Sequence, residues 1–182
     1  EEVPASVRLV DLRTRTATTA LPSLLAHPWD AASLLRRPAM LYNLPFVFGA
    51  IPALSRYLER ENPDAMLSAL NYGNLAAIWA RQRARTSTRL AVTEHNPLSV
   101  RVQKETQRRM STLPRSVGRF YPLADAIGAC SEGVADDLAL TARLPRDSIQ
   151  VTYNPVLTPE LREQARQELD HPWFDEGQPP VI

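Results

Sequence analysis

The chain has 182 residues, 44% of them hydrophobic and 23% charged, which is typical of a globular protein with one large domain, or one domain and part of a second. Its formal net charge of +1 gives no strong field for nucleic acid, and its single cysteine excludes an internal disulfide framework. No apolar run approaches the ~20 residues that span a bilayer, and the first residues, EEVPAS, do not resemble a signal peptide. We therefore expect a cytoplasmic protein without a nucleic-acid partner.

Strand patterns alternate with helix patterns along the chain. Residues 6–12 are apolar at alternate positions and predict a strand, whereas the proline-rich residues 13–50 favour a loop with one or two short helices. The patterns that follow predict a helix at 51–64, a short buried strand at 65–70, a helix at 71–84, a strand at 88–96 and a polar helix at 98–110. They then predict a strand at 124–130, a helix at 131–140, a strand at 147–155, a helix at 158–169 and the start of a strand at 179–182.

This alternation predicts an α/β fold with a parallel, doubly wound sheet. In such sheets the groups that bind ligands lie at the carboxyl ends of the strands. Polar clusters follow the apolar runs of four predicted strands, at residues 71–74, 94–96, 131–133 and 153–155. Turns also use Asn, Gly and Ser, so each cluster alone leaves a purely structural role open. A turn explains less well why Glu94 and His95 stand together at one strand end.

Ser131 lies where a predicted strand is followed by a predicted helix. A serine at that position caps the helix by accepting a hydrogen bond from a backbone N–H group. The remaining N–H groups and the helix dipole favour an anion or a ligand hydroxyl nearby, and the dipole also favours Glu132 in the first turn. We predict the cap, and a ligand role in addition to it stays open.

Two long segments resemble one family of enzymes. Residues 56–96 (RYLERENPDAMLSALNYGNLAAIWARQRARTSTRLAVTEHN) and 124–156 (ADAIGACSEGVADDLALTARLPRDSIQVTYNPV) are similar to the N-terminal domain of retaining glycosyltransferases of family 4. The resemblance covers about residues 50–157 well and 1–50 loosely. It implies a Rossmann-like parallel sheet flanked by helices, which is the N-terminal half of the two-domain GT-B architecture.

The resemblance also implies a domain organisation and partners. Residues 1–157 would form the acceptor domain, lacking the first strand of the family, and residues 158–182 a helix and linker to a C-terminal donor domain that lies outside this chain. The whole enzyme would be a hexosyltransferase that moves a sugar, with retention, from a nucleotide sugar to a glycan or lipid-linked acceptor, such as a cell-envelope polysaccharide. The nucleotide sugar would bind mainly to the donor domain, and this chain alone would be inactive. The oligomeric state is not readable from the sequence.

The family resemblance assigns roles to several residues at the predicted strand ends. His95 matches a histidine that lies at the cleft near the transferred sugar, which makes it the catalytic candidate, and Glu94 and Asn96 flank it as substrate-binding candidates. Ser131 and Glu132 match residues that face the cleft, and Asn154 matches the point where the chain crosses to the donor domain. Tyr72 departs from relatives, many of which have histidine there. Glu94 would orient the His95 ring only if both side chains reached the same face, although adjacent strand residues normally point to opposite faces.

Other kinds of site are excluded or left as alternatives. His27, His95 and His171 lack the spacing of metal ligands, and no GxGxxG follows a strand, so we expect no metal and no cofactor besides the nucleotide-sugar co-substrate. A hydrolase that uses Glu94 and His95 would lack a nucleophile elbow, since no GxSxG occurs. A non-catalytic sugar-binding or regulatory α/β domain remains the alternative function.

Basic residues outnumber acidic ones between Leu98 and Phe120. Arg101, Lys104 and Arg108 are spaced so that they share one face of the predicted helix at 98–110. A solvated surface is one interpretation. The other is a patch for anionic lipid or a phosphorylated acceptor, through which the protein would contact the inner face of a membrane peripherally.

Overall fold

The computed structural model describes residues 4–12, 49–104, 113–167, 171–174 and 177. By its internal contacts the chain divides into two compact units, Glu1–Thr152 and Tyr153–Ile182. The described residues of the first unit form a four-stranded sheet of order β1-β2-β3-β4. Its strands are β1 Ala65–Ala69, β2 Arg89–Glu94, β3 Ala126–Ala129 and β4 Ile149–Val151. Each neighbouring pair is parallel, which confirms the predicted α/β class and parallel sheet.

Helices separate the strands along the chain. The described α-helices of the first unit are α1 Ile51–Glu61, α2 Asn71–Ala84, α3 Leu98–Lys104, α4 Leu113–Phe120 and α5 Glu132–Ala142. The second unit contains α6 Pro159–Gln164. Short 3₁₀ turns lie at Tyr121–Leu123, Arg146–Ser148 and Pro172–Phe174.

The ends of the helices follow local sequence signals. α1 ends at Glu61 because Asn62 caps it in a left-handed conformation at φ 41° and is followed by Pro63, a residue that cannot continue the helix. α5 begins at its predicted cap, because the Ser131 hydroxyl accepts a hydrogen bond from the Val134 N–H at 3.3 Å. Thr158 caps α6 in the same way by accepting from the Leu161 N–H at 3.1 Å. The prediction that Ser131 caps the helix is confirmed.

The hydrophobic core is centred on α2. This helix packs against α1, α4, β1 and β2, and it is buried on more than one side, as expected of a helix inside the layers of a domain. Its buried apolar residues are Leu75, Ala76, Ala77, Ile78 and Ala80. In β2, one of the strands that α2 contacts, the alternating residues Leu90 and Val92 are fully buried.

A glycine permits the close approach of α4 to the end of α5. A Cβ atom on Gly118 would lie 2.1 Å from the carbonyl oxygen of Ala142, far inside van der Waals contact. Only glycine therefore fits at this crossing. On α4, Phe120 packs against Trp79 of α2 in an edge-to-face contact, with ring centroids 5.3 Å apart.

Two predictions for the amino-terminal side of the chain are wrong, namely the strand at residues 6–12 and the burial of the strand at 65–70, whose position itself is confirmed. Residues 6–12 belong to no strand, and Leu9 is 76% exposed, because an alternating pattern forms a strand only where another strand accepts its backbone hydrogen bonds. Arg8 instead forms an ion pair with Glu61 at 2.9 Å. β1 was predicted to be buried, yet Leu67 is 73% exposed, and among the described residues β1 pairs only with β2. A short apolar run does not distinguish an edge strand from a central one.

Other boundaries are shorter than predicted. The strand predicted at 147–155 is reduced to Ile149–Val151, because a 3₁₀ turn precedes it and Tyr153 begins the second unit. The helix predicted at 158–169 ends at Gln164. The predictions for residues 13–48, 105–110 and 179–182 lie outside the described residues.

Candidate functional site

The residues that follow β1, β2 and β3 lie along one edge of the sheet, because the strands are parallel and their ends are in register. The backbone N–H of Leu70 donates to the carbonyl of Thr93 at 3.0 Å, and that of Cys130 donates to the carbonyl of Glu94 at 3.0 Å. The turn after β1, the residues after β2 and the start of α5 are therefore neighbours at the carboxyl edge. This is the position at which ligands bind in open α/β sheets.

His95 is exposed at this edge, directly after the last residue of β2. Its ring nitrogen Nε2 lies 3.3 Å from the hydroxyl oxygen of Thr93. Its backbone carbonyl accepts a hydrogen bond from the thiol of Cys130, the residue after β3, at 3.5 Å, so this contact also helps to fix its position. The structure thus presents the imidazole to solvent at the place where the sequence predicted a catalytic group.

The loop after His95 is held by a carboxylate from another helix. Asn96 is exposed, and α3 begins two residues later at Leu98. The backbone N–H of Ser99 donates to the Asp137 carboxylate of α5 at 3.1 Å. This contact ties the loop that carries His95 and Asn96 to α5. No local sequence signal indicated Asp137, because the contact joins residues far apart in the chain.

Glu94, in contrast, is an internal group. Its side chain is 1% exposed and accepts hydrogen bonds from Asn71 at 2.8 Å, from Asn74 at 3.2 Å and from the Tyr121 hydroxyl. Successive residues of a strand point to opposite faces, so the Glu94 carboxyl is directed away from His95. The predictions that Glu94 contacts substrate and orients the His95 ring are therefore corrected to a role inside the domain.

We call Glu94, Asn71, Asn74 and Tyr121 the buried polar cluster. Burial is the main influence on the carboxyl group and raises the pKa of Glu94, while the hydrogen bonds from its three partners and the charge of Arg101 oppose this rise. Burial likewise raises the pKa of the Tyr121 hydroxyl well above its ordinary value. The sequence placed Asn71, Asn74 and Glu94 in two clusters at strand ends, but it gave no signal for Tyr121.

The buried polar cluster also supports a strained turn between β1 and α2. Leu70 has φ 69° and ψ 145°, a backbone conformation that non-glycine residues rarely adopt. Its N–H is bonded to Thr93, and the neighbouring residue Asn71 is bonded to Glu94. Asn74 adds a hydrogen bond to the Thr93 carbonyl at 2.9 Å. Such strain persists where surrounding contacts over-determine it, and it is common at functional sites.

Ser131 and Glu132 occupy the amino end of α5, and each has an intramolecular partner. The Ser131 hydroxyl is half-buried and serves as the helix cap described above. Glu132 is exposed and its carboxylate forms an ion pair with Arg146, which also bonds to Asp136 at 2.5 Å. Glu132 thus belongs to a surface ion-pair network along α5. Contacts of Ser131 and Glu132 with a substrate remain predictions.

Asn154 lies in the second unit and is exposed. Its carbonyl accepts a hydrogen bond from the Val156 N–H at 2.9 Å, which forms a local turn after β4. Its predicted place at the crossing between two domains remains a prediction.

The basic patch is described only in part. Arg101 is half-buried, and its guanidinium lies over the ring of Tyr72, 5.8 Å from the centroid. Lys104 is the last described residue of α3, and Arg108 lies outside the described residues. The membrane or anionic-acceptor role of these three residues therefore stays a prediction. Among the helices that the structure describes, none has the length and apolar character needed to cross a bilayer.

Comparison with known proteins identifies the family. The model of the family described as Glycosyltransferase Family 4 matches residues 11–158, which include all four strands of the sheet and the edge that carries His95. No curated protein matches the chain. The match spans well over half of the sequence and agrees with the Rossmann-like parallel sheet, so the chain belongs to glycosyltransferase family 4.

Proposed function

We propose that this chain is the acceptor-side domain of a hexosyltransferase that moves a sugar from a nucleotide sugar to a glycan or lipid-linked acceptor, with retention of configuration. Membership of a glycosyltransferase family supports transferase activity. The observation that carries the finer proposal is the exposed His95 at the carboxyl edge of the sheet, held by Thr93 and Cys130.

His95 acts in this proposal by positioning and by charge stabilisation. Retaining transfer without a covalent enzyme intermediate requires little covalent chemistry of the protein, so correct placement of both substrates supplies most of the catalysis. An imidazole nitrogen that faces solvent accepts a hydrogen bond from a sugar hydroxyl as the donor is brought to the edge. Asn96, exposed beside it, offers an amide for a second hydrogen bond.

The test of this role uses an enzyme in which the chain is joined to a nucleotide-sugar-binding domain. We expect His95→Ala to lower kcat by roughly 10²-fold, the usual loss for one preorganised polar contact in a transition state. His171→Ala is the matched control, because His171 is also exposed but lies in the second unit. Full activity of the His95→Ala enzyme contradicts the proposed role.

The chain by itself is proposed to be inactive, since transfer requires both substrates to be held in one cleft. Isothermal titration of the 182-residue chain with nucleotide sugars should show no tight binding. Micromolar binding of a nucleotide sugar by the chain alone would contradict the assignment of the donor site to another domain.

A further inference from the structure

The hydroxyl group of Thr93 has two neighbours with different requirements. It donates a hydrogen bond to the backbone carbonyl of Ser68 at 3.0 Å, and its oxygen lies 3.3 Å from Nε2 of His95. A hydroxyl carries one proton, and a carbonyl oxygen only accepts. The hydroxyl proton of Thr93 is therefore donated to the Ser68 carbonyl, and the hydroxyl oxygen can only accept a hydrogen bond from the histidine.

The position of this hydroxyl is fixed by the sheet. Thr93 is paired with Ala69 of β1 on one side and with Gly128 of β3 on the other. Its methyl carbon lies 3.1 Å from the point where a Cβ atom on Gly128 would stand, so the missing side chain of that glycine makes room for the methyl group. A β-branched side chain has few rotamers, and with the methyl on the β3 side the hydroxyl is directed to Ser68 on the β1 side.

Only one neutral form of His95 suits this neighbour. A neutral imidazole has one nitrogen that donates and one that accepts, and the partner of either nitrogen selects the form. Since Thr93 offers an acceptor to Nε2, the proton lies on Nε2 and Nδ1 carries the free lone pair. We propose that Thr93 is a positioning residue that holds the neutral His95 ring with its proton on Nε2, so that Nδ1 accepts a hydrogen bond from a hydroxyl of the transferred sugar.

This inference rests on the proposed function for its last step, the contact with sugar, but the link between Thr93 and His95 is testable without substrate. NMR of the imidazole nitrogens in the 182-residue chain at alkaline pH, where imidazole is neutral, identifies the protonated nitrogen. We expect the proton on Nε2. In Thr93→Val the two nitrogen signals should move towards each other, because the ring loses its fixed partner and both neutral forms are populated.

Two further variants complete this measurement. Thr93→Ser keeps the hydroxyl and should restore the nitrogen signals of the unchanged chain. Thr152→Val is the matched control, because Thr152 is an exposed threonine that follows β4 of the same sheet, and it should leave the His95 signals unmoved. A proton on Nδ1 in the unchanged chain, or unmoved signals in Thr93→Val, would overturn the inference.

Kinetics with the two-domain enzyme test whether Thr93 acts through His95. We expect Thr93→Val to lower kcat about tenfold, less than the loss expected for a group that contacts the sugar directly, with recovery in Thr93→Ser. In the double variant with His95→Ala, Thr93→Val should cause no further loss, because the residue through which it acts is gone. Additive losses would overturn the inference. A fully active His95→Ala enzyme would instead overturn the proposed function and leave the NMR result standing.

Discussion

Glu94 and His95 are consecutive residues at one strand end, yet they belong to two different regions of the molecule. Glu94 is 1% exposed and accepts hydrogen bonds from three side chains of the buried polar cluster. His95 is exposed at the carboxyl edge, and among the described residues Thr93 is the side chain that bonds to its ring. The alternation of side chains along a strand turns one to the interior and the other to the surface.

The comparison suggests that one region stabilises the fold around the candidate site and that the other offers the surface on which a substrate would bind. The buried polar cluster ties the end of β2 to the first turn of α2 and thereby holds the strained turn at Leu70. The exposed edge presents the His95 imidazole, whose position is set by contacts with Thr93 and Cys130. A change in the cluster should therefore alter the free energy of unfolding, whereas a change at the edge should alter only binding and turnover.

The largest expected effect is that of removing the central carboxyl group. Glu94→Ala removes the acceptor that Asn71, Asn74 and Tyr121 share, although Asn74 keeps the Thr93 carbonyl as a partner, and it opens a cavity. We therefore expect the free energy of unfolding to fall by about 3 kcal/mol or more. Glu59→Ala, on an exposed position of α1, is the matched control and should change stability by less than about 0.5 kcal/mol. Denaturant unfolding monitored by circular dichroism compares them, and an equal, small change in both would show that the cluster does not stabilise the fold.

The pH dependence of the free energy of unfolding also tests whether the buried Glu94 carboxyl group contributes to stability. Burial raises the pKa of Glu94 in the folded chain above its value in the unfolded chain. The folded state then retains a proton that the unfolded state has lost, so stability from this group is complete below the unfolded pKa of about 4.3 and is lost as pH rises through the folded pKa.

Glu94→Gln isolates this contribution, because glutamine has the same size and does not titrate. As pH rises from the pKa of Glu94 in the unfolded chain to its higher pKa in the folded chain, the unchanged chain should lose stability relative to Glu94→Gln. Denaturant unfolding of both proteins at a series of pH values gives the difference. A relative gain in stability of the unchanged chain with pH would mean that the hydrogen bonds of the ionised carboxylate outweigh burial.

A smaller loss should follow from removing one partner of the cluster. Tyr121→Phe keeps the ring and deletes the hydroxyl that bonds to Glu94 and Asn74, so we expect a loss of about 1–2 kcal/mol in the free energy of unfolding. Tyr153→Phe is the control, since Tyr153 is 67% exposed. Thermal and denaturant unfolding of both variants should differ by this amount, and a neutral Tyr121→Phe would place the hydroxyl outside the network that stabilises Glu94.

Local rules accounted for the elements whose ends depend on a few adjacent residues. Ser131 capped α5 and Asn62 with Pro63 ended α1, because a cap needs only the side chain and the first or last turn of its own helix. The parallel order of the strands followed from their alternation with helices. Residues 6–12 had the alternation of a strand, but strand formation depends on a partner elsewhere in the chain, and no local pattern encodes that partner.

The candidate site was predicted in position but not in detail. Polar residues after β1 and β2 placed Asn71, Asn74 and His95 at one edge, whereas Tyr121 enters from a turn 27 positions beyond Glu94. The opposite directions of Glu94 and His95, and the shared direction of Thr93 and His95, follow from strand alternation alone. The alternation could therefore be read from the sequence. Which of the two side chains faces the interior became clear only from the structure, in which Glu94 is buried.

The smallest expected effect lies at the exposed edge and completes the comparison. His95→Ala removes a side chain that faces solvent and one hydrogen bond to Thr93, whose hydroxyl keeps its bond to Ser68. Exposed substitutions of this kind change the free energy of unfolding by no more than about 0.5 kcal/mol. Denaturant unfolding of His95→Ala beside Glu94→Ala measures both regions under one condition. A loss above about 1 kcal/mol for His95→Ala would show that the His95 ring stabilises the fold. The proposed division between a stabilising interior and a binding edge would then be wrong for the residue on which the proposed function depends.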